Sequence, residues 1–341
     1  MNKEKSYFQF IDVLRIIAII ISFLHHSALI FFLHGHTFFF FLSGFLLTYR
    51  FQQELNKNSY FDLWAFTIKR MFRILPIYLL IVFFVYYFLP FFTEKHFKTI
   101  PIYQYLLLIS NYSTVKHVFI LMILWSVAVQ EQFYIFISIV YKFFSRYLIE
   151  IAIGMIIFST FYKMFLYNQK INFYIHTLSH FSSFGFGIIY SLKYKELNSY
   201  IKNKWRNLLF IFSILLLIYL PYKLKDNYFW VMLDNVVVCC FFIVMFNFFI
   251  NKNYIQIKNK IILFFLKLYY DLYCYQGVVL TFTNFVLLSK YPNLTYMSII
   301  VINLILLFII SSISYVLIEN PMIFLSKKII NTKFKKNSKL K

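Results

Sequence analysis

Long apolar stretches separated by short polar ones repeat along the whole 341-residue chain. A transmembrane helix needs about 20 predominantly apolar residues. These runs are continuous, unlike the strands of a membrane β-barrel, which alternate over about ten residues. The pattern therefore predicts an all-α, polytopic integral membrane helix bundle with about ten transmembrane helices. The predicted spans are 7–32, 37–49, 74–92, 118–141, 148–166, 172–192, 207–222, 228–250, 261–288 and 295–318.

The positive charges between these spans predict their orientation. If the N-terminus is cytoplasmic, 24 of the 34 lysine and arginine residues fall in cytoplasmic loops or the C-terminal tail, and seven fall in outer loops. Cytoplasmic loops of membrane proteins carry such an excess of positive charge. The pattern predicts that both termini are cytoplasmic, with a transmembrane domain over 1–326 and a basic, disordered tail over 327–341.

Composition supports the membrane assignment and narrows the partners. The chain is 61% hydrophobic and only 13% charged, whereas soluble domains are about 45–50% apolar and about 25% charged. The net charge of +22 lies in short clusters between apolar runs and in the tail. This distribution favours lipid headgroups as the partner and argues against nucleic acid.

The first apolar run carries ionisable residues that a simple anchor does not need. At about 100° per residue, Asp12, Arg15, Ser22 and His26 fall within about 80° of one helix face, while His25 points elsewhere. Arg15 and His26 are about 16 Å apart along the helix axis. One interpretation is that Asp12 and Arg15 neutralise each other and His26 only packs. The other is a hydrophilic site, because ionisable side chains in a membrane usually mark function.

Other polar residues inside apolar runs receive structural interpretations. Asp234 and Asp271 are predicted to form structural pairs, with Lys267 as a candidate partner of Asp271. His34 and His36 lie near the predicted outer surface, where a solvated position is favoured over a ligand role. The spacing of histidine and cysteine shows no four-ligand metal pattern, so no metal site is predicted.

The chain resembles the acyltransferase-3 family of multi-span membrane enzymes. Asp12 to Arg15 followed by His26 is similar to its Arg-x10-His signature, and five further stretches match family motifs in order. These are FFFFLSGFLLTYR (38–50), KRMFRILPIY (69–78), LWSVAVQEQFYIF (124–136), LYYDLYCYQ (268–276) and LIENP (317–321). The chain departs from the family at Thr37, where an acidic residue is common, at Gln130, which replaces a glutamate, and at Gln276, which stands where many members have histidine.

The resemblance implies a membrane O-acyltransferase with acetyl-CoA as the acyl donor. Family members usually transfer acetyl from cytoplasmic acetyl-CoA to surface glycans. It implies that His26 is the catalytic base or the residue that carries the acyl group, that Arg15 and Glu131 assist it, and that Arg70 and Arg73 bind the phosphates of CoA. Positive-inside topology alone explains Lys69.

Two other functions remain open on the sequence. A polysaccharide or lipid transporter of the inner or plasma membrane would also have a polar stripe inside a helix bundle. A degenerate relative could keep the fold without the chemistry, as Gln130 and Gln276 suggest. The expected partners of the enzyme are membrane lipid and a glycan acceptor. The acceptor's identity and the oligomeric state cannot be read from the residues.

Overall fold

The computed structural model describes residues 3–29, 34–58, 61–91, 100–113, 119–200, 203–224, 227–251, 257–283, 290–291 and 293–338. These residues are mainly helical and contain no β-strand. The helices are α1 (Lys3–His26), α2 (Gly35–Asn58), α3 (Leu63–Phe83), α4 (Ile102–Leu106), α5 (Phe119–Met122), α6 (Trp125–Phe143), α7 (Leu148–Asn168), α8 (Phe181–Tyr200), α9 (Asn203–Leu224), α10 (Tyr228–Asn251), α11 (Lys260–Phe265), α12 (Tyr269–Phe282), α13 (Tyr296–Ser314) and α14 (Asn320–Ser338).

Five of the described helical segments are long and apolar enough to cross a membrane. They are Leu63–Phe91, Ile120–Phe143, Ser145–Asn168, Tyr228–Ile250 and Tyr296–Thr332. A shorter apolar helix covers Trp205–Leu220. The all-α, multi-pass character predicted from the sequence is thus confirmed, whereas the number of ten spans stays a prediction.

Several helix ends differ from the predicted spans. The third helix begins at Leu63 instead of residue 74, because the Asp62 side chain accepts a 2.9 Å hydrogen bond from Ala65 N and caps it. The apolar run did not include the first part of this helix, residues 63–73, because Lys69, Arg70 and Arg73 lie there. The last helix extends to Ser338, into the basic segment predicted to be disordered, and the buried Ile330 packs this part of the helix.

Three of the predicted spans are interrupted by turns. In the 172–192 run, two 3-10 turns (Phe173–Ile175 and Thr177–His180) precede α8. The 118–141 run breaks between α5 and α6, and the 261–288 run breaks between α11 and α12. A backbone hydrogen bond between residues three apart marks each of these two breaks. Leu124 N donates to Leu121 O, and Leu268 N donates to Phe265 O, each at 3.1 Å. Neither break contains glycine or proline, so the local sequence does not indicate it.

The chain forms two compact units of interleaved segments. The first unit contains residues 1–61 and 129–259, and the second contains residues 62–128 and 260–341. The core of the first unit is rich in phenylalanine and lies among α1, α2, α8, α9 and α10, with Phe41, Phe45 and Phe246 fully buried. In the second unit, α12 packs against α3, α5 and α13, and α14 packs against α3.

Candidate active site

The charged stripe predicted on the first helix lies on one continuous helix. Because α1 runs from Lys3 to His26 without interruption, Arg15 and His26 keep their predicted spacing. Arg15 Nη1 lies 2.8 Å from Asp12 Oδ1, and the two side chains are 17% and 32% exposed. This ion pair neutralises both charges and fixes the direction of the Arg15 guanidinium, as one interpretation of the sequence predicted.

His26 is the last residue of α1 and precedes a sharp turn. Leu29 N bonds Leu24 O at 3.0 Å, Ala28 N bonds His25 O at 2.9 Å, and Ala28 has a φ of 58°. This pair of bonds around a left-handed residue is the Schellman motif that ends many helices. His26 is half-buried. The turn therefore places the imidazole at the end of the helix and directs the chain away from it.

The face of α1 that carries the stripe is turned towards the start of α2. Ser22 is buried one helical turn before His26, and a side-chain methyl group at Gly35 would lie 3.7 Å from Ser22 Cβ. The electrostatic influence of His25 also reaches His36. The end of α1 and the first turn of α2 are therefore close neighbours within the first unit.

The serine–glycine pair of the second motif serves helix packing. A Cβ atom at Gly44 would clash with the Phe184 carbonyl oxygen, and one at Gly187 would clash with the Phe41 carbonyl oxygen. The α2 and α8 backbones therefore touch, which only glycine permits at these two positions. Ser43 Oγ lies 3.2 Å from Tyr134 Oη on α6. Gly44 is therefore a close-packing residue between these two helices.

Helix α6 brings Glu131 into the first unit. Glu131 is 8% exposed, and a buried carboxylate is stable only with polar partners. The next residue, Gln132, accepts a hydrogen bond from Thr177. Tyr141, two turns after Tyr134, shares a 2.8 Å hydrogen bond with Thr48. These bonds hold α6 against α2 and fix the position of the Glu131 backbone.

Arg70 and Arg73 lie on α3 in the second unit. Arg73 Nε donates to Glu319 Oε1 at 3.1 Å, and the Arg73 guanidinium lies over the Tyr269 ring, 4.9 Å from its centre. The Arg70 guanidinium lies 5.7 Å from the centre of the Phe66 ring. Both arginines are half-buried, whereas Lys69, which precedes Arg70, is exposed.

Asp271 lies beside Glu319 and Ser314, and both carboxyl groups are buried. The suggested pairing of Asp271 with Lys267 is wrong, because Lys267 is exposed in the turn before α12 and Asp271 faces Glu319. Arg73 therefore contacts one member of a buried acidic pair. Sequence spacing favoured the nearer lysine, since Glu319 is 48 positions further along the chain.

Motifs that are distant in the sequence contact each other within each unit. In the second unit, Tyr270 Oη donates to Ile74 O at 2.8 Å, and Ser126 Oγ lies 2.6 Å from Tyr273 Oη. The Arg73–Glu319 ion pair joins two further motifs. His26, Arg15 and Glu131 belong to the first unit, and Arg70 and Arg73 belong to the second.

A second polar group in the first unit was missed in the sequence. His34 is buried, with 4% of its surface exposed, so the expected solvated position is wrong. Lys163 on α7 forms an ion pair with Asp234 on α10, which confirms the structural pairing predicted for Asp234. Thr37 donates a 3.2 Å hydrogen bond to Asn235, so a neutral pair occupies this position. The sequence contained a signal for this polar group, because two opposite charges, Lys163 and Asp234, lie inside apolar runs.

The described residues define a helical multi-pass membrane protein with the ion pairs Asp12–Arg15, Arg73–Glu319 and Lys163–Asp234. A comparison with family models identifies the class: residues 8–317 match the acyltransferase-3 model, described as an acyltransferase domain. The match covers most of the chain, and the protein belongs to the acyltransferase-3 family. It is therefore a membrane acyltransferase. No curated protein and no solved structure matched the chain in the corresponding comparisons.

Proposed function

We propose that this protein is an O-acetyltransferase of the inner or plasma membrane. It transfers acetyl from cytoplasmic acetyl-CoA to a hydroxyl of a surface polysaccharide or lipid-linked glycan. The observation that carries the proposal is the stripe on α1, where Arg15 and His26 share one face in a chain of the acyltransferase-3 family. Ten spans with both termini in the cytoplasm belong to the same proposal, and the charge distribution supports them.

His26 acts on the acceptor hydroxyl in the simplest form of the reaction. The imidazole removes the hydroxyl proton while the oxygen attacks the thioester carbonyl. The resulting oxyanion collapses, the carbon–sulfur bond breaks, and the CoA thiolate takes the proton back from the imidazolium. In the alternative form, the imidazole attacks the thioester and carries the acetyl group to the hydroxyl.

Arg15 and Glu131 assist His26 in this proposal. The ion pair with Asp12 holds the Arg15 guanidinium in one direction, so it stabilises negative charge on the donor without first having to reorganise. Glu131 is a buried carboxylate in the same unit. It orients the polar groups of the site through hydrogen bonds.

Arg70 and Arg73 bind the phosphates of acetyl-CoA. Guanidinium groups form paired hydrogen bonds with phosphate oxygens, and residues three apart project from the same side of a helix. The ion pair with Glu319 positions Arg73 for this contact. Half-burial of both arginines, in contrast to exposed Lys69, supports assigning the role to these two cations.

The test is the ester-linked acetyl content of surface glycans in the host. A deletion strain is compared with strains restored by the intact protein, by His26→Ala and by His25→Ala at equal membrane abundance. We expect acetyl to disappear on deletion and to return with the intact protein and with His25→Ala, but not with His26→Ala. If deletion leaves acetylation intact but changes which glycans reach the surface, the protein is a transporter.

A further inference from the structure

The polar group around His34 lines a cavity of about 150 Å³ in the first unit. His34 lies in the turn before α2, Lys163 on α7, and Trp230 and Asp234 on α10. Two short 3-10 turns that precede α8 complete the wall. No step proposed for His26 or the arginines uses these residues.

The cavity has an exposed aromatic rim and a buried polar floor. Tyr174 is 37% exposed, Trp230 and Phe173 are half-buried, and the floor residues His34 and Ser179 are almost fully buried. The Trp230 ring meets the His34 ring edge to face at 6.4 Å. Ligand sites typically combine apolar and aromatic walls with a few polar groups that fix orientation.

Three polar atoms of the floor have no protein partner among the described residues. They are both ring nitrogens of His34 and the hydroxyl oxygen of Ser179. A buried polar atom without a hydrogen bond costs about 1–3 kcal/mol. A neutral imidazole offers one donor and one acceptor, and a serine hydroxyl offers both. The matching ligand therefore carries hydroxyl groups, which both donate and accept.

The Lys163 and Asp234 charges that line the cavity, beside the imidazoles of His34, His36 and His180, cancel each other and so favour a neutral ligand. Lys163 and Asp234 form an ion pair, so together they contribute no net charge. Asn235 uses its side chain to bond Thr37 and the Ser179 carbonyl, the latter at 3.1 Å. Within the described residues, no group of three histidine, cysteine or acidic side chains could hold a metal ion. A neutral polar molecule fits best.

The size of the cavity corresponds to one ring. A cavity of about 150 Å³ holds a six-membered ring of the size of benzene, so it has room for no more than one sugar ring. The aromatic rim offers flat apolar surfaces to the ring's carbon–hydrogen faces, and the floor offers hydrogen bonds to its hydroxyls. The volume of the cavity, the absence of net charge from its Lys163–Asp234 pair and the hydrogen-bonding atoms of its floor together favour a single pyranose ring as the ligand.

The cavity lies beside the end of α1. A Cβ atom added at Gly35, next to His34, would lie 3.7 Å from Ser22 Cβ, and His25 acts electrostatically on His36. With both termini in the cytoplasm, the turn that contains His34 is on the outer side of the membrane, where a surface glycan is located. We propose that this cavity binds one neutral pyranose ring of the acceptor glycan and holds its hydroxyl near His26. The link to His26 rests on the proposed function.

The test measures sugar binding directly on the full-length protein in nanodiscs. Saturation-transfer NMR is recorded with the methyl pyranosides of glucose, galactose, mannose, rhamnose and N-acetylglucosamine. We expect transfer to at least one of them, with affinity lowered about tenfold or more in His34→Phe and Ser179→Ala, because each loses hydrogen bonds to the ligand. Because no described protein atom bonds these groups, neither variant should lower the unfolding temperature, whereas a purely structural role would lower it.

Trp230→Leu and Trp205→Leu form the matched control pair. Trp205 is 53% exposed on α9 and does not line the cavity, so only Trp230→Leu should weaken binding. The proposal would be overturned if none of the five sugars received saturation from the protein, or if wild type and His34→Phe transferred it equally. The cavity would then hold buried water only.

Failure of this proposal can be separated from failure of the proposed function. If His34→Phe loses pyranoside binding but restores full glycan acetylation, the cavity is not the acceptor site and the acetyltransferase assignment stands. If binding depends on His34 but deletion of the gene leaves glycan esters unchanged, the sugar site stands and the acetyltransferase assignment fails.

Discussion

Within the part of the chain that the structure describes, ionisable side chains in apolar surroundings are paired at three places. Asp12 and Arg15 are three residues apart, so the sequence alone indicated their pairing. Lys163 and Asp234 are 71 residues apart, and Arg73 and Glu319 are 246 apart. No local spacing connects such residues. The sequence therefore showed that Asp234 needs a partner but could not identify it, and it missed the burial of His34.

The two arginines on α3 give a test of donor binding at the level of single residues. Arg70→Gln should raise the KM for acetyl-CoA about tenfold or more, because a hydrogen bond to a charged phosphate contributes about 1.5–3 kcal/mol. Lys69→Gln is the matched control, since Lys69 is adjacent but exposed. Acetyl transfer is measured in membranes over a range of acetyl-CoA concentrations. Equal KM values for the two variants would contradict phosphate binding by Arg70.

The stability of the fold should depend on pH through His34. Burial lowers the pKa of the His34 imidazole below its ordinary 6.5, the charge of Asp234 opposes this shift, and the charge of Lys163 adds to it. The folded state then binds fewer protons than the unfolded state. This contribution to stability is complete above about pH 6.5 and declines as the pH falls below it.

The His34→Phe variant isolates that contribution. Its unfolding temperature in detergent should fall less between about pH 7.5 and about pH 5.5 than that of the wild type, because phenylalanine cannot take up a proton. An identical fall in the two proteins would show that His34 does not titrate in this way.

Helix packing in the first unit depends on backbone contact, which hydropathy does not measure. Continuous apolar runs identified most helices, yet α3 begins earlier than predicted, and turns interrupt three of the apolar runs. These ends follow from a capping carboxylate and from turns without glycine or proline. The serine–glycine motif is a packing element, because Gly44 faces the Phe184 carbonyl group.

Gly44→Ala should destabilise the contact between α2 and α8. Its methyl group would clash with the Phe184 carbonyl oxygen, and overpacking of this kind costs about 1–3 kcal/mol or more. Gly154→Ala on α7 is the control, because nothing lies within 4 Å of its added Cβ. That change should raise stability by up to about 1 kcal/mol through helix propensity. Unfolding temperatures that move in the same direction would contradict this interpretation.

The chain as a whole forms two units from interleaved segments, an arrangement that hydropathy cannot indicate. Residues 62–128 leave the first unit and join residues 260–341 in the second. The sequence correctly predicted a helical multi-pass membrane protein of the acyltransferase-3 family. Its order of motifs indicated the family, whereas the grouping of those motifs depends on contacts between distant segments, such as Arg73 with Glu319.

Reporter fusions test the proposed topology of the whole chain. A fluorescent protein fused after Lys341 should fluoresce, because both termini are predicted to be cytoplasmic. Alkaline phosphatase fused after Lys170, in a predicted outer loop, should be active. The reverse signals at these two positions would contradict the orientation and would place the His34 cavity on the cytoplasmic side.

The most direct test of the central claim is acetyl transfer by the purified protein. The full-length chain in nanodiscs receives radiolabelled acetyl-CoA and glycan from the deletion strain, and label in the glycan is measured for wild type, His26→Ala and His25→Ala. Loss of a general base lowers the rate about 10²–10⁴-fold. The proposed function predicts such a loss for His26→Ala and near-normal transfer for His25→Ala. Equal transfer by wild type and His26→Ala would contradict it.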